Sequence, residues 1–580
     1  MTNNSRQSIG FFAGLLAAIG LAVCILVVAL VEEIGLPDPI TFYVVVGGAL
    51  VAAAVFGLSA PTMRLPEFYV AGRTVGPFHG GIAMTAGVAF LAFFGVSGLD
   101  FTADGDGSVL ILGPTAAIVI AGLLIAPGLR RSGALTLPEY FDQHFAAPLL
   151  RPVALVVLAA IVLPLLVAAL VAFGHLASYF IEARFEAAVF VAVAAILATT
   201  ILGGAQSLVR ATFVQFLILF VAYLLPAILL AGRESGLPTP AFLVGQTLHA
   251  IGAEIAAPGG GATEVTRSAA QNLHYLGLVA WMALGLAALP QVLMPAATLE
   301  DARHARRATA WAAVSCVVLF AVAPGYGLFA QSVDIGIFAL PEITGMPFFM
   351  ISLLVAGALS AMTMLAANLA LALANALGLD LYLRTIEPRA PQGRQLLIVR
   401  LLLIVLTLLA AWAAIAWRDQ AMPLASASIS IAASGFLPGL LAMGWWRRAT
   451  APGVGAGMAI GFLAAVGFII AARFYGTDLT AGLHFASWIN LEMAAGFIGV
   501  PLGALALVGV SLATRPRPTR ATLAPEEIDA SLTRRTVAFD EEDAVSADVE
   551  MVPRTPPARA ESPALVRLRQ TFIRSRLIRR

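Results

Sequence analysis

Phe78-His-Gly-Gly-Ile-Ala-Met-Thr-Ala-Gly-Val-Ala-Phe-Leu-Ala-Phe-Phe-Gly-Val-Ser-Gly-Leu99 holds no Asp, Glu, Lys or Arg, yet Gly81, Gly87, Gly95 and Gly98 punctuate it. A bilayer is crossed by roughly 20 apolar residues in a helix, so the run reads as a membrane span. Glycine inside a span marks either close helix packing or an interruption that frees backbone groups. Leu273 to Thr298 has the same character, with Gly277, Gly285 and Pro290 inside it.

Working outward, apolar stretches recur at residues 9–31, 40–60, 78–99, 109–128, 152–177, 186–204, 211–232, 273–298, 308–330, 347–379, 401–417, 421–446, 453–473 and 486–514, here spans 1 to 14. A hydrophobic share of 60% against a charged share of 12% fits no soluble core. The reading is an all-α polytopic membrane protein of about 14 transmembrane helices. Span 1 follows Arg6 but ends in Val-Glu-Glu with no small-residue cleavage site, so it is expected to be a retained helix rather than a signal peptide. Cys24 and Cys316 both fall inside spans and are expected to pack, not to bridge or bind metal.

The chain contains no Lys, so the positive-inside rule is read from Arg alone. Of 21 Arg before residue 515, 16 lie at the N-terminus or in loops after even-numbered spans, and five (Arg184, Arg233, Arg267, Arg418 and Arg473) lie on the other side. Both termini are therefore expected in the cytoplasm of a bacterial cell, with the chain in its inner membrane. Residues 515–580 hold 13 Arg and 10 acidic residues among many Pro, Ser and Thr, the composition of a disordered tail. Within it, Leu565 to Arg580 sets Leu565, Val566, Leu568, Phe572 and Leu577 among six Arg, which fits a helix on anionic lipid as well as a solvated basic end. The tail is also a candidate contact for a cytoplasmic or membrane partner.

The function classes narrow by exclusion. The chain has no HExxH, CxxC, Walker loop, Rossmann fingerprint or clustered intramembrane carboxylates, so an enzyme is not expected, nor a metal beyond a coupling ion, nor a nucleic-acid partner. Repeated Arg of a voltage sensor and the filter repeat of a selective channel are missing too. A carrier remains, with a small organic solute and the lipid bilayer as its partners. Spans 3 and 8 lie five apart and so run in opposite orientations, as an inverted five-helix repeat requires.

Two loops carry a resemblance. Pro66-Glu-Phe-Tyr-Val-Ala-Gly-Arg73 before span 3 and Leu129-Arg-Arg-Ser-Gly-Ala-Leu-Thr-Leu-Pro-Glu-Tyr-Phe141 after span 4 resemble the sodium:solute symporter family. Leu202-Gly-Gly204 with Thr212, Gln215 and Ala222-Tyr-Leu-Leu-Pro226, then Leu289-Pro-Gln-Val-Leu-Met294, Leu340-Pro-Glu-Ile343, Ala374-Asn-Ala-Leu377 and Asp380-Leu-Tyr382, are similar to its cation/acetate branch. The resemblance implies a LeuT-like 5+5 inverted-repeat core over residues 61–446, two preceding helices in 1–60, two following ones in 447–514, and the tail at 515–580. It also implies that spans 3 and 8 are broken and carry the solute.

On that basis the expected solute-binding residues are Gly87, Ala89, Phe90, Gly285 and Gln215. The family's sodium site joins backbone carbonyls of span 3 to a hydroxyl pair on span 10, which here falls on Met364 and Leu365. A hard cation wants oxygen ligands, and neither side chain offers one. The expected cation site at Ala86, Ala89, Ser360, Thr363, Met364 and Leu365 is therefore degenerate, with Ser360 and Thr363 a turn away as replacements. Ala86, Ala89 and Ala92 stand where relatives place polar residues, and Pro295-Ala-Ala-Thr298 stands where the branch continues with an Arg and aromatics. Asn368, Asn375, Gln206, Gln215, Ser426, Ser428 and Ser430 are further polar candidates, most of them expected to bond helix to helix. His175 and His274 sit near span ends, where an interfacial place is expected.

No cofactor is expected, only Na+ or H+ as coupling ion, and the cargo is a small monocarboxylate such as acetate moved by alternating access. Alternatives are a non-transporting sensor or accessory homologue, and a proton-coupled or sodium-independent carrier. The Arg asymmetry makes a topology prediction: a reporter fused after Arg580 will be active as a cytoplasmic marker, and one inserted near Gly260 will report the periplasm. A periplasmic signal from the C-terminal fusion would break the count of fourteen.

Overall fold

The computed structural model describes residues 37–94, 108–235, 269–324, 336–475 and 491–514, with Tyr326 and isolated positions among 20–35. Every element named among the described residues is helical, apart from one bridge between Val75 and Leu299. Span 1, Cys24, Gly95, Gly98, the tail and the His274 side chain lie outside the described residues. The chain divides into a unit of residues 1–520 and a second of 521–580.

The principal helices are α1 (Asp38–Leu58), α2 (Pro77–Ala89), α3 (Ser108–Ser132), α4 (Leu150–Ile181), α5 (Phe185–Thr200), α6 (Ala205–Ser235), α7 (Ala269–Ala287), α8 (Ala302–Phe320), α9 (Phe349–Ala376), α10 (Gln392–Ala416), α11 (Ala421–Gly435), α12 (Ala451–Tyr475) and α13 (Leu491–Ala513). They fall on every expected span but the first. Nine described helices are long and apolar enough to cross a membrane, or ten with the bent pair of span 8 counted once. The pieces at Pro77–Phe93 and Phe185–Thr200 are apolar but shorter, and α8 begins with Arg303, Arg306 and Arg307. Fourteen crossings are thus not established by the described residues.

α9 is the central post. Its apolar window is 94% buried inside the protein, against 33% for α1 and 28% for α12, so the latter two face lipid. α9 packs on α2, α4 and α6, while α7 packs on α3 and α11, and α12 pairs with α13. Glu32 caps the start of α9, accepting hydrogen bonds from Phe348 N at 2.7 Å and Phe349 N at 2.9 Å. Those N–H groups have no partner inside the helix, and a carboxylate suits the positive end of its dipole.

Spans 3 and 8 differ from the expectation that both are broken. Pro290 forbids the helical conformation to the residue before it, and Leu289 is extended at φ −71°, ψ 137°. The two pieces of span 8, Tyr275–Ala287 and Pro290–Thr298, are bent by 66° there. Span 3 has no proline at the equivalent point. Phe90 keeps helical angles (φ −56°, ψ −28°) between α2 and Leu91–Phe94, so no comparable bend occurs among the described residues.

Gly204 shows how the loops are locked. It sits at φ +54°, and a Cβ there would lie 2.4 Å from the Phe68 carbonyl oxygen. Arg400 closes the same corner, donating to Thr62 O (2.8 Å) and Leu202 O (2.9 Å) with its guanidinium over the Phe68 ring. Gly204→Ala should cost about 1–3 kcal/mol through the left-handed angle and the backbone collision, seen as a lower thermal unfolding midpoint in detergent; an unchanged midpoint would contradict this packing.

Candidate functional site

Where α2 crosses the Pro290–Leu293 piece, the backbones touch: a Cβ on Gly87 would lie 2.7 Å from the Gln291 carbonyl oxygen. α2 is also tied to α8 through Thr85, whose hydroxyl reaches Ala312 O at 3.0 Å. Residues Met84 to Ala92 are buried throughout. This closed segment separates two cavities.

The first cavity opens toward the Arg-rich loops and is lined by Tyr69, Ala83, Thr136, Thr212, Pro290, Thr298, Asn368 and Asn375. The second is lined by Phe93, His175, Phe338, Ala358, Met362, Arg418 and Met422 and opens at the α10–α11 connection. Asn368 in one and Met362 in the other are about 9 Å apart along α9, while Ala83 and Phe93 are about 15 Å apart along span 3. Both cavities stop short of the buried stretch from Met84 to Ala92.

Residues 68–461 match the sodium:solute symporter family. The chain belongs to that family. It is 24% identical to an uncharacterized symporter of Cupriavidus necator, over 80% of this chain and 90% of the relative. It is likewise 24% identical to a monocarboxylic acid transporter of Corynebacterium glutamicum, over 77% of this chain and 86% of the relative. A solved Na+-coupled sialic acid symporter, substrate-bound and outward-open, superposes with a TM-score of 0.61 at 17% identity, covering 82% of this chain and 98% of that one. The fold is the LeuT-like one, and the protein is a multi-pass solute symporter.

None of the five residues expected to hold solute lines either cavity, and Gly87, Ala89 and Phe90 lie in the buried stretch of span 3. Ala89 and Phe90 are fully buried. Gly285 is a packing residue, since a Cβ on it would lie 2.7 Å from Ile429 O. Gln215 is buried with neither amide atom paired among the described residues. Gln291, part of a family-like motif but not among the residues expected to bind, is equally buried and equally unpaired. A lone amide after the breaking proline of an apolar span was the signal for it.

The expected cation site is poor in oxygen. Met364 and Leu365 are buried, and the Met364 carbonyl accepts the Asn368 amide at 2.8 Å. Thr363 donates its hydroxyl to Leu359 O at 2.7 Å, and the Ser360 hydroxyl has no partner among the described residues. Ala86 and Ala92 are buried and apolar. On α11 the serines bond across helices: Ser428 to Ile161 O, and Ser430 to Glu492 O at 2.6 Å while accepting from Trp281. Asn375 lines the first cavity, and its carbonyl oxygen, like that of Gln206 at the start of α6, is unpaired among the described residues. Cys316 packs, taking a contact from the Thr115 hydroxyl at 3.6 Å.

A charged cluster that the sequence did not disclose borders the first cavity. Asp380 accepts from Thr136 Oγ1 at 2.6 Å and faces Arg151 at 3.5 Å, while Arg151 also pairs with Asp142 at 2.5 Å. Glu139 accepts from Leu135 N at 2.8 Å and faces Arg384 at 3.5 Å. Burial first, then the Asp380 and Glu139 carboxylates, push the Tyr69 phenol well above its usual range. At the other end of the mouth Arg130 donates to Leu299 O and Glu300 O, so a cation reaches the end of span 8 although the sequence after Pro295 supplies none.

Gly87→Ala tests the crossing. The added methyl meets backbone rather than a movable side chain, so uptake is expected to fall at least about tenfold while the protein still inserts, a loss equal to about 1.4 kcal/mol. Gly87→Leu should abolish uptake; normal transport by either variant would show that the crossing is not needed.

Proposed function

We propose that this symporter carries a small monocarboxylate, acetate-like in size, across the bacterial inner membrane by alternating access, with both termini cytoplasmic. The observation that carries the reading is the pair of cavities on either side of a buried, charge-free stretch of span 3, with Gln291 packed against Gly87 and Gln215 also buried, both amides unpaired among the described residues. A carboxylate offers acceptors to such amides. The relative in Corynebacterium glutamicum that is named a monocarboxylic acid transporter supports the cargo class.

Strong sodium coupling is not part of the proposal. With Met364 and Leu365 lacking oxygen and the Met364 carbonyl engaged by Asn368, the site presents few of the oxygen ligands a stripped cation needs. This favours a carrier with weak or no sodium dependence over one driven by sodium. The tail at 515–580 is proposed to lie outside the transport cycle.

Uptake of labelled acetate, pyruvate and proline into proteoliposomes, with sodium or proton gradients imposed separately, tests both points. Acetate or pyruvate should accumulate with little response to sodium, and Met364→Ser combined with Leu365→Thr should introduce or strengthen sodium stimulation. Binding without accumulation would instead identify a sensor. Strong sodium coupling in the unmodified protein, unaffected by Ser360→Ala and Thr363→Ala, would sink this account of the cation site.

A further inference from the structure

We propose that the cavity at the α10–α11 connection is an anion-recruiting vestibule, in which the Arg418 guanidinium takes the carboxylate of a monocarboxylic acid before the sealed middle opens to it. The inference rests on the carrier reading and adds the residue that first selects the cargo.

Among the 21 Arg before residue 515, Arg418 is one of five that follow odd-numbered spans against 16 at the N-terminus or after even-numbered ones, so a cation there stands against the expected topological bias of the chain. It is held in place at two points. Its carbonyl accepts from His175 Nε2 at 2.6 Å, the imidazole necessarily donating, and its guanidinium lies over the Phe185 ring at 4.7 Å from the centroid. Among the described residues no carboxylate lies within ion-pair distance of it, although it lines the cavity. Arg473, on the same side, is by contrast taken up by Gln420 at 2.7 Å and Glu492 at 4.0 Å. A guanidinium fixed by stacking, with its donor edge unclaimed, is suited to bidentate capture of a carboxylate.

The rest of the wall selects the body to which that carboxylate is attached. Phe93 and Phe338 stack with centroids 6.0 Å apart, and Met362 and Met422 line the same cavity. An apolar body fits that surface, whereas a second carboxylate would be set against it without a partner. The ligand class is therefore an acid with one carboxylate and an apolar remainder. Asp419 is also on the wall and, among the described residues, also unpaired, so its charge opposes an incoming anion. The two neighbours should act with opposite signs.

The test is initial uptake of labelled acetate, butyrate and succinate by whole cells producing the full chain, at ionic strengths of about 0.01 M and about 0.15 M, where screening lengths are about 30 Å and about 8 Å. At the lower ionic strength Arg418→Gln should raise the KM for butyrate about tenfold with kcat nearly unchanged, Asp419→Asn should lower it about threefold, and Arg418→Lys, which keeps the charge but loses the fork and the stacking, should raise it by an intermediate amount, about threefold to fivefold. These differences should shrink at the higher ionic strength, and succinate should be a poor substrate throughout. If the unmodified protein takes up monocarboxylates but Arg418→Gln leaves KM unchanged, or lowers only kcat, the vestibule inference is overturned while the carrier reading stands. If the unmodified protein takes up none of them, the carrier reading fails and the vestibule falls with it.

Discussion

A single missing side chain, at Gly87, lets the α2 backbone rest on the carbonyl of Gln291, and the seal between the two cavities depends on that contact. Interiors packed to this density do not deform by degrees; they move as rigid pieces between discrete arrangements. The Pro290–Thr298 piece is already set at 66° to the helix before it, so it has a hinge at Leu289. Span 3 has no such hinge among the described residues.

What holds the Arg-rich face is of a different kind. Asp380, Arg151, Asp142 and Thr136 bring together the loop after span 4, the start of α4 and the end of span 10 in one buried cluster. Removing one partner of such a pair leaves a buried charge uncompensated, at about 3–5 kcal/mol. The stretches that resemble the symporter family converge on this region: Tyr69, Thr136, Glu139 and Asp380 meet at the cluster, while Phe68 and Gly204 meet at the neighbouring corner. Their shared role is to anchor loops. Gln215 and Gln291, from other stretches that resemble the family, are buried away from this cluster, so the family-like positions divide between scaffold and interior.

That division explains what could be read from the sequence. Long apolar runs and the Arg bias depend only on local composition, so helices lie at every expected span within the described residues. The break in span 8 was legible because Pro290 acts on its own neighbour. Glycine was ambiguous, because Gly87 and Gly285 serve contacts with Gln291 and Ile429 that lie far away in the chain, and a packing glycine looks like a breaking one. The loss of oxygen at Met364 and Leu365 was visible in the letters. The engagement of the Met364 carbonyl by Asn368 was not, because it is a property of helix geometry at a spacing of four residues. The salt-bridged cluster was hidden because its members are up to 244 positions apart.

The sealed middle constrains the chemistry more than any motif does. Buried amides left unpaired cost about 1–3 kcal/mol each, so Gln215 and Gln291 hold the closed state at a disadvantage that a hydrogen-bonding cargo removes. Neither amide can neutralise a carboxylate, and no charged side chain stands among the buried residues of α2 or α9. On the carrier reading, an anion crossing this region must be accompanied by its own counter-charge or cross as the neutral acid, because desolvating it alone is too costly. With the oxygen set around Met364 depleted, a resident sodium ion is badly placed to supply that charge. The burden shifts to a proton travelling on the cargo itself, which needs no relay residue in the protein.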